Sequence, residues 1–510
     1  MEFHEKLTTK KKSIMVLGTS SGVGKSITVT AICRMLRNIG DNPVPFKGQN
    51  MSNNAWVDRN GGEMAYSQAL QAFAAGISPL SEMNPVLLKP QGDSTSEVIH
   101  LGKSVGITTA KNYYKNWYNS GWQVIKKGID NIFEKNKDTR LIVEGAGSPV
   151  EMNLIHRDLT NLKIAKYLNA DCILVADIEK GGVFAQVVGT LDLMNDDERA
   201  LVKGIIINKF RGDLNLFDEG KRWLENKTGI PILGILPSMN NKFPPEDSLD
   251  ILDKQINTKN SKINVGIIKF PSISNFSDFD PLENEDSIEI NWISKSFNLE
   301  NFDLIILPGS KQTINDQNFL KASGLQKDIK IYSENKGSNI LGICGGLQML
   351  GKYLEDPYSK EGADDMRKEK IKGIGLLPLK TVFIKNKRTN QISCNSEWPC
   401  ESMIEGFEIH NGVTNLIKNL DNQKVLPLYD KKGLGWYIQN STKATVAGTY
   451  IHGIFENDNW RNSYLNMIRD QKGLPELDNI SKNYKIKQDG IIDKLTNQFI
   501  NHINFSLILN

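Results

Sequence analysis

LGTSSGVGKS, residues 17–26, follows directly on the apolar run Ile14–Leu17 and precedes a segment in which Val29, Ile32, Leu36 and Ile39 recur at helical spacing. An apolar strand, a glycine-rich turn ending in Gly-Lys-Ser, and an amphipathic helix closed by Gly40 form the setting of a phosphate-binding loop. The strict G-x-x-x-x-G-K-[ST] spacing requires a glycine where Thr19 stands, and here the glycine is Gly18, one place early. The chemistry survives that shift. Gly22 and Gly24 let backbone N–H groups turn inward around phosphate oxygens, and Lys25 neutralises the β- and γ-phosphates. Ser26 offers a hydroxyl to Mg2+, and the helix presents its positive N-terminus. ATP is expected as co-substrate and Mg2+ as its counter-ion.

Outward from this loop, short apolar runs alternate with helical patterns, which predicts an α/β chain with doubly wound parallel sheets. The first series is Ile14–Leu17, Pro43–Phe46, Leu141–Val143, Cys172–Ala176, Gly204–Ile207 and Ile232–Leu236. The polar stretch 248–262, SLDILDKQINTKNSK, reads as a linker, after which a second series begins at 263–270, 288–293, 303–310, 339–346 and 444–455. The expectation is an N-terminal domain over 12–247, a second domain over 263–465, and a helical extension over 466–510. A chain of 510 residues is too long for one ordinary core and accommodates two.

Net charge is only +3 with Lys and Arg dispersed, so a nucleic-acid footprint is not indicated. Five cysteines at 33, 172, 344, 394 and 400 form no CxxC pair, which argues against a disulfide framework or a structural zinc site. The expected compartment is a reducing cytoplasm. No leader-like apolar stretch opens the chain, and no run approaches the length of a membrane span.

In the second series, GICGG (342–346) ends an apolar strand with Cys344 between glycines. This is the cysteine counterpart of the nucleophile elbow, a tight strand-to-helix turn that exposes the sulfur beside backbone donors. A general base is required, and the histidines of this half are His410 in GFEIHNG and His452 in GTYIHGIF. His452, just after a strand, is favoured because open α/β sheets place their sites at the carboxyl edge.

GTxxxxGKS resembles the loop of dethiobiotin synthetase-like ATPases, which use ATP to activate a carboxylate. That resemblance implies a Mg2+-binding role for Glu144 in LIVEGAGS (141–148), and a second acidic ligand at Glu63 in GGEMAYSQALQ (61–71), where a plain surface-helix glutamate is an equal alternative. It also implies that Asn208 in INKFRGD (207–213) reads adenine. GICGG with a late histidine resembles the class I glutamine amidotransferase fold, and DLIILPGSKQT (303–313) matches its upstream loop. Backbone N–H groups near Ser310 and at Gly345 are then the oxyanion donors. Many such domains carry a glutamate two residues after the histidine. Here that place is Ile454, with Glu456 four residues on, and the third group stays open.

A Cys–His pair without the usual acid is the pattern of the cobyrinic and cobyric acid synthase family. FKGQNMSNN (46–54), MNPVLLKPQGDSTSEVIHLGK (83–103), EGAGSPVEMNL (144–154), DIEKGGVFAQVVGTL (177–191), INKFRGD and PPEDS (244–248) resemble its cobyric branch over nearly all of residues 12–465. The resemblance implies a glutamine-hydrolysing ligase that amidates the b, d, e and g carboxylates of adenosylcobyrinic acid a,c-diamide in cobalamin biosynthesis. Acyl phosphates are the implied intermediates, with one ATP used per amide. Lys47, Asn50 and Lys89 stand as contacts for the acidic substrate or as ordinary polar residues. The a,c-diamide-forming branch is the near alternative, and a partition-type ATPase a more distant one that would have no use for Cys344.

Overall fold

The computed structural model describes residues 11–92, 94–238, 263–361, 370–417, 424–477 and 483–506. The linker expected at 248–262 and the PPEDS stretch lie outside the described residues.

The first series of apolar runs forms one six-stranded sheet, ordered Ile232–Pro237, Val202–Phe210, Asp171–Asp177, Ile14–Gly18, Arg140–Glu144 and Pro43–Phe46. Every pairing in it is parallel. Such a sheet is covered on both faces, which is why its strands read as continuous apolar runs. Met15 and Leu17 pack into the core on one face, and Ile14 and Val16 into the core on the other. Helix Lys25–Asn38 lies on the second face. It ends as expected, with Ile39 as cap and Gly40 at φ 84° in the left-handed region.

The second series builds a seven-stranded sheet, ordered Ile288–Ile293, Ile263–Ile268, Leu304–Leu307, Asn339–Ile343, Thr445–Thr449, Gly435–Ile438 and Leu426–Pro427. Its first five strands are parallel, and the last two add an antiparallel edge. The chain is thus two α/β domains, each with a mainly parallel sheet.

Two features depart from the sequence reading. A long antiparallel hairpin, Leu379–Ser396 with Ser402–Leu416, leaves the second domain and reaches the first. The C-terminal helix Tyr484–His502, expected only as part of a helical extension over 466–510, packs against the N-terminal domain. Its Ile492, Leu495 and Phe499 join the core beneath helix Lys25–Asn38. Each such side chain contributes roughly 1.5–3 kcal/mol when buried. Asp489 and Asp493 also ion-pair with the buried Arg34 of that helix. Among the described residues, no helix is long and apolar enough to cross a membrane, and all five cysteines are free.

Candidate active site

The phosphate loop explains its own early glycine. A Cβ on Gly18 would lie 2.7 Å from the Val23 side chain and 3.0 Å from Lys25 Cδ, so glycine stands where the lysine stem must pass. Gly22 and Gly24 have φ of 72° and 104°, in the region that favours glycine. Lys25 is buried and donates to the carbonyls of Ser20 and Gly147, at 2.9 and 3.2 Å. Its ammonium therefore already lies among backbone oxygens at the mouth of the loop.

Glu144, at the carboxyl end of its strand, is the hub of this site. It accepts from Ser26 Oγ at 3.0 Å, Lys47 Nζ at 2.6 Å, Gln68 Nε2 at 3.3 Å and Gln71 Nε2. Ser26 and Glu144 thus offer a hydroxyl and a carboxylate side by side, the hard oxygen donors Mg2+ takes. Lys47 lies with them, at the phosphate centre.

Three other expectations meet different surroundings. Asn208 is buried under Gly24, with Nδ2 donating to Val23 O at 2.8 Å and Oδ1 accepting from Lys209 N at 2.8 Å. In this structure it braces the loop, with one donor on Val23 O and one acceptor site on Lys209 N. Glu63 shares no hydrogen bond with Ser26 or Glu144. It sits in a buried chain of alternating charge, Lys89–Glu63–Lys387–Glu97–Lys311, with links of 2.6, 2.6, 3.2 and 2.5 Å. Lys89 belongs to the same chain, and burial pulls its ammonium down to about 8 against the pull of Glu63. Asn50 donates to Gln68 Oε1 and Ser67 Oγ, at 2.8 and 3.2 Å, on the helix whose Gln68 and Gln71 hold Glu144. Among the described residues, no group of three or more His, Cys, Asp or Glu side chains is placed to hold a metal.

In the second domain, Cys344 joins strand Asn339–Ile343 to helix Gly345–Leu350 at φ 51°, ψ −105°. That conformation is strained for a residue with a side chain, as the elbow requires. The glycines around it permit close approach. A Cβ on Gly346 would come within 1.9 Å of Leu307 O, and one on Gly345 within 2.8 Å of Ser310 N. Ser310 and Gly345 are therefore neighbours across the elbow, as an oxyanion site requires. The Ser310 hydroxyl itself donates to Asp316 Oδ2 at 2.5 Å. Burial lifts that carboxyl to about 7, against the hydrogen bonds it receives from Ser310 and Ser272.

His452 is fully buried, and its Nδ1 lies 2.7 Å from Asp278 Oδ2, whose other oxygen accepts from Gly453 N at 2.8 Å. Among the described residues Nε2 has no hydrogen-bond partner of ordinary geometry, and the Cys344 sulfur lies beside the ring. Burial works against the imidazolium, but Asp278 and then the nearby Cys344 sulfur outweigh it and push the ring up to about 10. Asp278 is the third group left open by the sequence. It lies 174 residues before His452, in the 3-10 turn Phe276–Phe279 beyond the carboxyl end of strand Ile263–Ile268, and that edge is the one signal that could have found it. Glu456 does not take this role. Its carboxylate makes no hydrogen bond with the ring, and desolvation together with Asp278 pushes it up to about 7.

His410 has both ring nitrogens occupied, Nδ1 by Gly412 O at 2.7 Å and Nε2 by Glu408 Oε2 at 3.1 Å, and it stacks on Tyr450. It lines a small cavity of about 30 Å³ with Cys344, Gln348, Glu361, Asn411 and Lys311.

Residues 14–245 match a family described as the CobQ/CobB/MinD/ParA nucleotide binding domain, and residues 264–460 one described as the CobB/CobQ-like glutamine amidotransferase domain. The chain is 66% identical to a cobyric acid synthase of Prochlorococcus marinus strain MIT 9301, over the full length of both. It is 55% identical to that of strain NATL1A, covering 97% of this chain and 100% of the relative. With the phosphate loop and the cysteine elbow in one chain, and with this identity from end to end, the chain belongs to the cobyric acid synthase family.

Proposed function

We propose that this glutamine-dependent amidoligase of cobalamin biosynthesis converts the b, d, e and g carboxylates of adenosylcobyrinic acid a,c-diamide into amides, each through an acyl phosphate. The observation that carries the reading is the pairing, in one chain, of Cys344 on its elbow beside a His452 oriented by Asp278 with a phosphate loop whose Ser26 faces Glu144. One half is built to release ammonia from an amide, and the other to attach a phosphoryl group to an acid.

In the second domain, the Cys344 thiolate attacks the side-chain amide carbon of glutamine. Backbone N–H groups at Ser310 and Gly345 receive the oxyanion. His452 gives its proton to the departing nitrogen, and ammonia leaves a thioester on Cys344. Water then attacks the thioester with His452 as base, releasing glutamate and the thiolate. Asp278 keeps the imidazole aligned through both transfers.

In the first domain, a substrate carboxylate oxygen attacks the γ-phosphorus of ATP, an O–P bond forms, and ADP leaves. Lys25 and the loop amides hold the phosphates in line. Ser26 and Glu144 are the residues that would hold Mg2+, which when bound neutralises phosphate charge. Ammonia then attacks the acyl carbon, inorganic phosphate departs, and the amide remains. Local release of ammonia matters because most free ammonia is protonated at neutral pH and lacks a lone pair for attack.

Cys344→Ala tests this division of labour. It should abolish glutamine-dependent amidation while activity with high ammonia persists, and Lys25→Ala should remove both. Equal loss with both nitrogen donors in Cys344→Ala would remove the nucleophile assignment.

A further inference from the structure

The two groups that hold His452 are themselves held by the N-terminal domain. On the edge of the ring is Asp278, whose neighbour Ser277 donates through Oγ to Asn54 Oδ1 at 2.8 Å, with its N–H 3.5 Å from the same oxygen. Asn275, which begins this loop at φ 52°, donates from Nδ2 to Ala55 O at 2.7 Å and from its backbone N–H to Asn53 O at 3.3 Å. On the face of the ring is Phe407, stacked on His452 at 5.3 Å and joined to it by two backbone hydrogen bonds. Phe407 in turn packs against Trp56, with ring centroids 5.1 Å apart. Asn53, Asn54, Ala55 and Trp56 are consecutive residues of the first domain, and Asn54 is buried.

From these contacts we infer that Asn54 and Trp56 are positioning residues of the glutaminase centre, supplied by the synthetase domain to fix Asp278 and Phe407 around His452. Both act at one remove from the ring, Asn54 through Ser277, the chain neighbour of Asp278, and Trp56 through Phe407. The segment continues into Glu63, which pairs with Lys89 of its own domain and with Lys387 of the amidotransferase hairpin. The contacts that set the base are therefore continuous with the buried charge chain joining the two domains. A short strand pair, Ala55–Val57 with Glu63–Ala65, carries both. The arrangement makes ammonia release depend on a correctly placed synthetase segment, which keeps glutamine hydrolysis in step with an acceptor site able to use its product.

This inference rests on the proposed division of labour between the domains. Its test uses the full-length chain with Asn54→Ala, Ser277→Ala, the pair combined, Trp56→Leu and Trp56→Phe. Glutamate release, glutamine-dependent amidation, ammonia-dependent amidation and the rate of Cys344 alkylation are measured for each. Losing one buried hydrogen bond to the support of the base should slow glutamate release by about tenfold. Ammonia-dependent amidation should stay within about twofold of the parent, because the phosphate centre is untouched. The double variant should be no slower than the slower single, since both remove the same bond, and Trp56→Phe should recover most of what Trp56→Leu loses. Equal loss with glutamine and ammonia, or unchanged glutamate release in Asn54→Ala and Ser277→Ala, would overturn it. Failure of the parent chain to amidate the corrinoid with either nitrogen source would instead count against the proposed function.

Discussion

Cys344 and His452 meet at the carboxyl edge of the second sheet, the cysteine on its elbow and the histidine held by Asp278. The cysteine declared itself because an elbow needs small residues on either side, and the structure gives the reason as distances: a Cβ at Gly346 would overlap Leu307 O. The histidine was legible only as a residue after a strand. Its acid was not, because Asp278 reaches it from a loop distant in sequence, and no local spacing encodes that meeting. The pair has a pH signature. A histidine whose value is raised from about 6.5 to about 10 adds stability that is complete below the lower value and disappears as pH rises through the upper one. Asp278→Asn should therefore cost about 3 kcal/mol at pH 6. That deficit should shrink steadily between pH 7 and 10 in denaturant melts followed by fluorescence, and a pH-independent deficit would contradict the ion pair. At the phosphate loop, Asn208 illustrates the opposite difficulty. Its donor and acceptor suit a base edge, and in the fold one of each is already engaged by Val23 O and Lys209 N, a bracing role that the motif alone does not report.

Among the elements, the parallel strands could be read because burial on both faces leaves a continuous apolar signature, and all six runs of the first series became neighbours in one sheet. The hairpin 379–416 could not be read that way. Its middle stretch, KNKRTNQ at 385–391, is polar and looks like solvent-facing loop. The structure sets its Lys387, largely shielded from solvent, between Glu63 and Glu97 of the other domain. Those carboxylates hold its ammonium above the ordinary lysine range although burial opposes the charge. Removing one member of a buried charge chain leaves its partners uncompensated, so Lys387→Ala should destabilise the chain by about 3–5 kcal/mol. Thermal unfolding checks this, and a shift no larger than that of an exposed control such as Lys431→Ala would mean that the chain of charges carries little. Glu63, expected among the Mg2+ ligands, stands in the short strand Glu63–Ala65 between Lys89 of its own domain and Lys387 of the hairpin.

Taken whole, the molecule is two parallel-sheet domains whose separate motifs could each be read from sequence, and whose connections could not. The C-terminal helix crosses back to seal the first domain's core. Asn54 and Trp56 reach forward to the second domain's histidine supports. Contacts of this kind depend on how two finished domains pack, and nothing in a strand period or a glycine motif reports it. On the proposed function, these joined halves perform one coupled amidation on a corrinoid. The most direct measurement is mass spectrometry of adenosylcobyrinic acid a,c-diamide incubated with the purified chain, Mg2+–ATP and glutamine. Four successive acid-to-amide conversions, each dependent on both ATP and glutamine, are the predicted result. An unchanged corrinoid, while the same preparation hydrolyses glutamine and ATP, would contradict the coupled amidation.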